Sequence, residues 1–249
     1  MRRLIVSPQA VLGDRIHITD KEDIAYISVV LRMKEGGALL VSDGAGRAWE
    51  VVIDSISRTG VDLGIISEKP VYEEEKTQIT LYQGLPKGTK MEDIVRKSTE
   101  LGAYKIVPVS TARTIPGTDG ISDAKLERWR RIAKEAAKQS RRPLVPEVSK
   151  VLDFEGAAAG LAGAGFDHIL ALFELEEGRT LKQALKEVNR GEKPLNIAVF
   201  IGPEGGFEHA EVERLMREGA ESVTVGETIL RTETAGPAAV AMILYEFEL

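Results

Sequence analysis

The alternation of apolar and polar positions changes character at about residue 70 of the chain. Before that point, short apolar runs are separated by turn sequences, a pattern that is typical of β-strands joined by tight loops. One amphipathic helix is predicted among them, with Asp20 as its N-cap and an end near Met33. The predicted strands are Leu39–Val41, Trp49–Ile53 and Val61–Ile66. This part of the chain therefore favours a small β-barrel with one helix.

From residue 78 onwards, apolar runs of strand length alternate with segments of helical periodicity. Such alternation favours the α/β class, in which helices cover a mostly parallel sheet. A charged segment at residues 70–76 separates the two patterns, so we predict one domain at residues 1–70 and a second at 71–249. The predicted strands are Ile79–Gln83, Tyr104–Val109, His168–Phe173, Leu195–Ile201 and Ser222–Val225, and the predicted helices are Thr89–Leu101, Asp123–Ser140, Phe154–Ala162, Leu181–Val188, Glu208–Glu218 and Glu233–Phe247.

Composition limits the chemistry that is open to this chain. Its 249 residues include no cysteine and three histidines, which excludes disulfides and a cysteine nucleophile and argues against a metal site. No apolar run approaches the length of a membrane span, and the apolar stretch at the N-terminus is too short for a signal peptide. We therefore expect a soluble, cytoplasmic protein.

The formal charge of the chain is −6, but residues 124–143 contain eight basic and two acidic side chains. A basic helix in an acidic protein is typical of a surface that binds a polyanion. The alternative is a solvated helix face without a partner, and charge alone does not decide between the two. Apolar residues at helical spacing form the predicted buried face of this helix. They are Trp129, Ile132, Ala133, Ala136 and Ala137.

Two loops that contain glycine follow predicted strands in the second domain. The loop at residues 201–207 has three glycines, which let backbone N–H groups approach a ligand closely. The segment 225–236 carries Arg231 and Glu233 where a loop meets a helix. A tight structural turn and an exposed ion pair are the alternatives. Polar loops at the carboxyl ends of strands nevertheless favour a binding site.

Four segments together resemble the RsmE family of bacterial ribosomal RNA small-subunit methyltransferases, which belongs to the SPOUT superfamily. They are residues 87–102, 128–141, 201–207 and 229–235, and Val30-Leu31-Arg32 adds to the resemblance in the first domain. The resemblance implies an RNA-binding, PUA-like β-barrel, a trefoil-knotted SPOUT methyltransferase domain and a homodimer. It also implies S-adenosylmethionine as the methyl donor and N3 of one uridine in the 16S rRNA of the small ribosomal subunit as the acceptor, with no metal.

On this resemblance we expect roles for particular residues. Arg231 is expected to stabilise the uracil oxygens or a neighbouring phosphate as negative charge develops, and either Glu204 or Glu233 to accept the N3 proton. The expected donor-binding residues are Leu172, Phe173, Ile201, Gly202, Gly205, Gly206, Val225, Gly226, Ile229, Leu230, Thr234 and Ala235. The expected RNA-binding residues are Arg32, Arg128, Arg131, Lys138, Arg141 and Arg142.

Other interpretations stay open from the sequence alone. The target within the same superfamily could be another RNA base or a ribose 2′-oxygen. A noncatalytic RNA-binding protein could carry the same glycine loops for structural reasons. The run of small residues at 235–241 is expected to pack against its twofold mate, and packing inside one chain is the alternative.

Overall fold

A computed structural model describes residues 2–44, 46–69, 77–114, 121–140, 142–188 and 194–248. These residues form two compact units. The first contains the described residues up to 69 together with Ala137–Val145, a stretch that the sequence assigned to the second domain. The segment 70–76 lies outside the described residues, so the boundary at residue 70 stays a prediction. No described helix is long and apolar enough to cross a membrane.

The first unit is a single sheet with a short helix. Its elements are β1 (Arg3–Ile5), β2 (Val11–Leu12), β3 (Arg15–Ile18), α1 (Lys21–Ala25), β4 (Ala38–Ser42), β5 (Ala48–Ile56) and β6 (Val61–Lys69). The strand order is β1-β4-β5-β6-β3-β2, and every neighbouring pair except β1 and β4 is antiparallel. Buried and more exposed positions alternate along β3 and β5, so one face of the sheet forms an apolar core around Ile16, Leu39 and Trp49. The predicted small β-domain is confirmed.

The helix of this unit is shorter than predicted. Asp20 is its N-cap, as predicted, and its carboxylate accepts hydrogen bonds from the N–H groups two and three residues ahead. The chain then widens to a π-helix over Tyr26–Val30. The Ser28 hydroxyl donates to the Ile24 carbonyl at 2.7 Å, which gives that carbonyl a partner outside the α-helical pattern. Arg32 follows with a φ of 48°, a left-handed conformation that ends the helix before Met33.

The second unit is a parallel α/β structure. Its strands and helices, of which α3 ends in the first unit, are β7 (Thr77–Gly84), α2 (Lys90–Leu101), β8 (Lys105–Ser110), α3 (Asp123–Ser140), β9 (Glu147–Val148), β10 (Leu152–Asp153), α4 (Phe154–Ala159), β11 (His168–Leu172), α5 (Leu181–Lys186), β12 (Leu195–Ile201), α6 (His209–Arg217), β13 (Glu221–Val223) and α7 (Thr232–Glu248). The order is β10-β8-β7-β12-β11-β13, with β9 beside β8, and all pairs are parallel. The predicted α/β class is confirmed, and β9 and β10 are additions of two residues each.

Helices cover both faces of this parallel sheet. On one face, Tyr82 stacks on Phe200 with 4.3 Å between ring centroids, in a core that also contains side chains of α4 and α6. On the other face, α7 packs on β7 and β12, and α2 packs on α7. Covering both faces explains why β7 and β12 are almost entirely buried, as expected of central parallel strands. The trefoil knot that the resemblance implies stays a prediction.

The basic helix α3 has its predicted limits, and its predicted inner face is buried at Trp129. One of its expected RNA contacts is already engaged, however. The Lys138 ammonium forms an ion pair with the carboxylate of Asp23, which is 1% exposed. A buried carboxylate without a partner would be strongly destabilising. Lys138 therefore compensates a buried charge within the first unit, and this role competes with the expected contact to RNA.

Replacing Lys138 by Ala should destabilise the first unit by about 3 kcal/mol, because Asp23 would stay buried without a counter-charge. The measurement is urea unfolding followed through Trp49 in a Trp129→Phe background, since these are the two tryptophans of the chain. Lys134→Ala on the same helix is the control and should change the free energy of unfolding by less than about 0.5 kcal/mol. Equal losses in the two variants would contradict a stabilising role for the pair.

Candidate active site

The carboxyl ends of β7, β12, β11 and β13 lie side by side because these strands are parallel neighbours. A cavity of about 940 Å³ opens at this edge. Its walls come from residues 172–180, 201–206 and 223–235, and Lys90 contributes from the start of α2. The volume suits a small organic ligand. Segments that are far apart in the chain are thus gathered at one site.

Nearly all of the residues that the sequence assigned to catalysis and donor binding line this cavity. Those that line it are Glu204, Arg231, Glu233, Leu172, Phe173, Ile201, Gly202, Gly205, Gly206, Val225, Gly226, Ile229, Leu230 and Ala235. Thr234 is exposed and does not line it. A helix turns by about 100° per residue, so position 234 faces away from position 232, which is buried against the sheet. The structure therefore does not bring Thr234 to the cavity.

The loop at 201–206 owes its shape to two glycines. Gly206 has a φ of 67°, which L side chains avoid, and a Cβ there would collide with the side chain of Glu174. At Gly202, a Cβ would lie 2.9 Å from the backbone of Gly206. The turn itself therefore requires both glycines, whatever ligand the loop binds.

A buried hydrogen-bond chain connects three segments beneath the cavity. The Gln83 amide nitrogen donates to the Gly84 carbonyl at 3.0 Å and to the Thr232 hydroxyl at 2.9 Å. The Thr232 hydroxyl donates in turn to the Gly202 carbonyl at 2.7 Å. The end of β7, the glycine loop and the first turn of α7 are therefore tied together.

Lys90 connects the two carboxylates that are candidate bases. Its Nζ lies 2.9 Å from Glu204 Oε1 and 3.4 Å from Glu233 Oε2. The Lys87 backbone N–H also donates to Glu204, at 3.1 Å and 3.3 Å from the two carboxylate oxygens. Glu233 Oε2, by contrast, is buried and receives no hydrogen bond of good geometry from the described part of the chain. Of the two carboxylates, Glu233 keeps more acceptor capacity for a substrate.

The same contacts set the protonation state of Glu204. Burial alone would raise the pKa of this carboxyl, but the hydrogen bonds from Lys90 and Lys87 outweigh it and hold the pKa below its usual value. The hydrogen bond to Glu204 raises the pKa of Lys90 in turn. Glu204 is therefore an ionised and weakly basic group at neutral pH.

Acidic side chains dominate the cavity wall. The glutamates among the lining residues are Glu174, Glu176, Glu177, Glu204, Glu227 and Glu233, and the basic residues are Lys90 and Arg231. A wall with this excess of negative charge favours a cationic ligand. The Arg231 side chain is exposed at the start of α7, and no described residue offers its guanidinium a hydrogen bond or an ion pair. Arg231 is thus available to an anionic group that enters the cavity.

The basic residues of the second unit that were assigned to RNA differ in how free they are. Arg128 pairs with Glu92 at 2.8 Å. The Arg131 side chain is 64% exposed, and its nearest carboxylate is that of Glu135 at 3.9 Å. Exposed pairs of this kind are weak, so Arg131 is the freer of the two.

In the first unit, Arg32 is exposed and Arg142 is half-buried just after α3. Lys138 is held by Asp23, as described above. The prediction for Arg141 falls outside the described residues.

Sequence reasoning missed four residues at or beside the cavity: Gln83, Lys90, Arg113 and Thr232. Arg113 donates to the Gly205 carbonyl at 2.5 Å and so supports the glycine loop from outside. Lys90 lies in a segment that carried the family resemblance, directly after a turn that follows a strand, and this position was a usable signal. Thr232 likewise lies in the segment 229–235 that carried the resemblance, whereas Gln83 and Arg113 act through partners far away in the chain and gave no signal.

The comparisons with known proteins agree with this geometry. A family model described as an RNA methyltransferase domain matches residues 73–244, and one described as an RNA methyltransferase PUA domain matches residues 13–66. The ribosomal RNA small subunit methyltransferase E of Synechocystis sp. is 34% identical over 242 residues, which cover 97% of this chain and 76% of that protein. The chain belongs to the RsmE family. The RsmE protein of Bacillus subtilis is also 34% identical, over 92% of this chain and 89% of its own length.

A solved RsmE structure shares both units of the fold. The RsmE of Neisseria gonorrhoeae, whose crystal structure is bound to S-adenosyl methionine, aligns with a TM-score of 0.79 at 27% identity. The alignment covers 98% of this chain and 97% of that protein. The PUA-like first domain and the SPOUT-like methyltransferase domain that the resemblance implies are thus confirmed.

The lowered pKa of Glu204 makes its contribution to stability dependent on pH. A carboxyl with a lowered pKa stabilises the fold above its unfolded pKa, and this contribution is lost as the pH falls through the folded value. Glu204→Gln should therefore lower the urea midpoint at pH 7, and the difference from the wild type should begin to shrink as the pH falls below about 4.3. Glu227→Gln, at an exposed position of the same wall, is the control and should change the urea midpoint little. A difference for Glu204→Gln that persists unchanged at pH 3 would contradict the assignment.

Proposed function

We propose that this protein transfers a methyl group from S-adenosylmethionine to N3 of a specific uridine in 16S rRNA. The observation that carries the proposal is the convergence of fourteen predicted donor-site and catalytic residues on one cavity of an RsmE-family fold. These residues come from separate loops of the chain. The proposed substrate, ribosomal RNA, implies the cytoplasmic location that the sequence predicts.

The residues of the cavity fit the donor chemically. S-adenosylmethionine carries a sulfonium and an ammonium group against one carboxylate, so its net charge is positive and matches the acidic wall. The wall also has apolar side chains, such as Leu172, Ile201 and Leu230, that can cover an adenine ring. When bound, the donor supplies a methyl group that is activated by the positive sulfur. Its demethylated product lacks that charge and should be held less strongly by the same wall.

The side chains at the start of α7 supply what the acceptor needs. The N3 proton of uracil must be removed as the new bond forms, and the freer acceptor, Glu233, is our choice for the base. Glu204 is the weaker candidate because its lone pairs are taken by Lys90 and Lys87. The unpaired guanidinium of Arg231 stabilises the negative charge that develops on the uracil oxygens.

The uridine must also leave its stack to reach the cavity, so the RNA has to be held beside it. We assign phosphate contacts to Arg131 and Arg128 in the second unit and to Arg32 and Arg142 in the first. Lys138 serves the buried carboxylate of Asp23 instead. Phosphate contacts supply affinity and salt dependence rather than base specificity.

Methylation of isolated small ribosomal subunits, followed by nucleoside mass spectrometry, tests the proposed reaction. The expected product is 3-methyluridine at a single site, formed only when donor and protein are both present. A methyl group on another base or on a ribose 2′-oxygen would mean a different target with the same donor chemistry. RNA binding without any methyl transfer would mean a noncatalytic protein.

The catalytic assignments can be tested in the same assay at saturating RNA and donor. Glu233→Gln should lower turnover at least about a hundredfold, because it removes the base and nearly preserves shape. Arg231→Ala should lower it about a hundredfold as well, with donor affinity by calorimetry retained. Glu204→Gln is the matched control and should cost less than about tenfold. A larger loss in Glu204→Gln than in Glu233→Gln would reverse the assignment of the base.

We further propose that the protein is a homodimer that associates through the outer faces of α2 and α7. Two small residues of α7 pack within the chain, since Gly236 lies against Gln83 and Ala239 is fully buried, whereas Ala235, Ala238 and Ala241 are half-buried. Large apolar side chains are instead exposed on these two helices and their ends. They are Leu101, Tyr104, Met242 and Tyr245. The half-buried small residues of α7 and these exposed side chains together form the proposed interface.

Light scattering at micromolar concentration should give the mass of a dimer for the wild type. Tyr245→Glu should shift the mass to that of a monomer, because it places a charge in the proposed apolar interface. Val29→Glu, at a comparably exposed apolar position of the first unit, is the control and should stay dimeric. A monomeric wild type, or a dimeric Tyr245→Glu variant, would refute this interface.

A further inference from the structure

A polar side chain is buried near the carboxyl end of strand β7. Gln83 is 0% exposed, and the neighbouring residues of the strand are buried as well. A buried amide is costly unless its hydrogen bonds are made, and an apolar residue would pack here without that cost. Gln83 Oε1 has no hydrogen-bond partner among the described residues, so only the amide nitrogen offsets this cost. The presence of glutamine at this point therefore calls for a role in the contacts of that nitrogen.

The hydrogen bonds of Gln83 and Thr232 follow one another, and each has a defined donor and acceptor. The Gln83 amide nitrogen can only donate, so the Thr232 hydroxyl accepts from it and is left to donate its own proton. That proton goes to the Gly202 carbonyl at 2.7 Å. Thr232 is 5% exposed, so water does not compete for these bonds. The hydroxyl is therefore held in one orientation by two partners, one near the end of β7 and one in the glycine loop.

The start of helix α7 lies close to the Gln83 side chain. Gly236 lies one turn after Thr232, and a Cβ at position 236 would come within 2.8 Å of Gln83 Oε1. The absence of a side chain lets the first turn of α7 rest directly on the Gln83 amide. The turn therefore lies against the Gln83 amide and the Leu81 side chain beside it.

We propose that Gln83 and Thr232 are positioning residues for the methyl transfer. Thr232 is the residue between Arg231 and Glu233, and all three lie at the start of α7 beside the cavity. The bond from Thr232 to Gly202 fixes the distance between these two side chains and the glycine loop. The inference rests on the proposed function, because it assigns the pair a part in placing the base and the guanidinium.

Replacing Thr232 by Val tests the proposal with little change of shape. The variant loses the hydroxyl that joins Gln83 to Gly202, so we expect turnover at saturating substrates to fall about thirtyfold, as misplacement of catalytic groups predicts. Donor affinity and the KM for RNA should change less than about threefold. Thr232→Ser keeps the hydroxyl and should restore turnover to within about threefold of the wild type.

A matched control separates positioning from a general loss of stability. Thr77 lies at the opposite end of the same strand, is 1% exposed, and its hydroxyl has no hydrogen-bond partner among the residues that the structure describes. Thr77→Val should leave turnover unchanged. Gln83→Leu should lower turnover like Thr232→Val, and the double variant should be no worse than either single one, because both remove the same link.

The outcomes distinguish this inference from the proposed function. If the wild type transfers no methyl group to any RNA, the proposed function fails and the inference with it. If the wild type is active and folded Thr232→Val matches its turnover, only the inference fails. A loss of turnover that Thr232→Ser does not restore, or that only follows the folded fraction in thermal melts, would also overturn it.

Discussion

The parallel pairing of β7, β12, β11 and β13 is the constraint on which the candidate site depends. Strands that run the same way end at the same edge of the sheet, so the loops after them share one space. Residue 90 and residue 233 are far apart in the chain, but both lie within one cavity because their strands and helices begin or end at that edge. The helices on both faces keep the central strands buried and the edge open. Without the parallel arrangement, the glycine loop and the start of α7 would not meet.

Local patterns in the sequence predicted the elements and the loops of the site well. The strand at Leu195–Ile201 and the helix at Asp123–Ser140 have the predicted limits, because apolar periodicity and capping act over a few residues. The glycine loop was predictable for the same reason, since Gly202 and Gly206 serve the turn in which they lie. The start of α7 was predicted without its rotation about the helix axis, and this rotation turns Thr234 away from the cavity.

Contacts between distant parts of the chain were beyond such reasoning. Lys138 belongs to a basic stretch and looked like a surface cation, but its partner Asp23 lies 115 residues earlier and is buried. Gln83 looked like the last residue of an ordinary strand, and its partner Thr232 lies 149 residues later. In both cases the role of the residue depends on a contact that forms only in the folded chain. Charge patterns therefore did not show that Lys138 has a buried partner, and strand patterns overlooked the polar link beneath the cavity.

The shared lysine between two carboxylates has a consequence for the charge of the site during a reaction. Glu204, Glu233 and Lys90 together carry one net negative charge when both carboxyls are ionised. If Glu233 takes up a proton, the trio becomes neutral and not positive, because Lys90 remains balanced by Glu204 at 2.9 Å. A cation bound nearby then never faces a net repulsion from the group that has just been protonated. Because Glu204 balances the charge of Lys90, Glu233 can gain or lose a proton without making these three groups net positive.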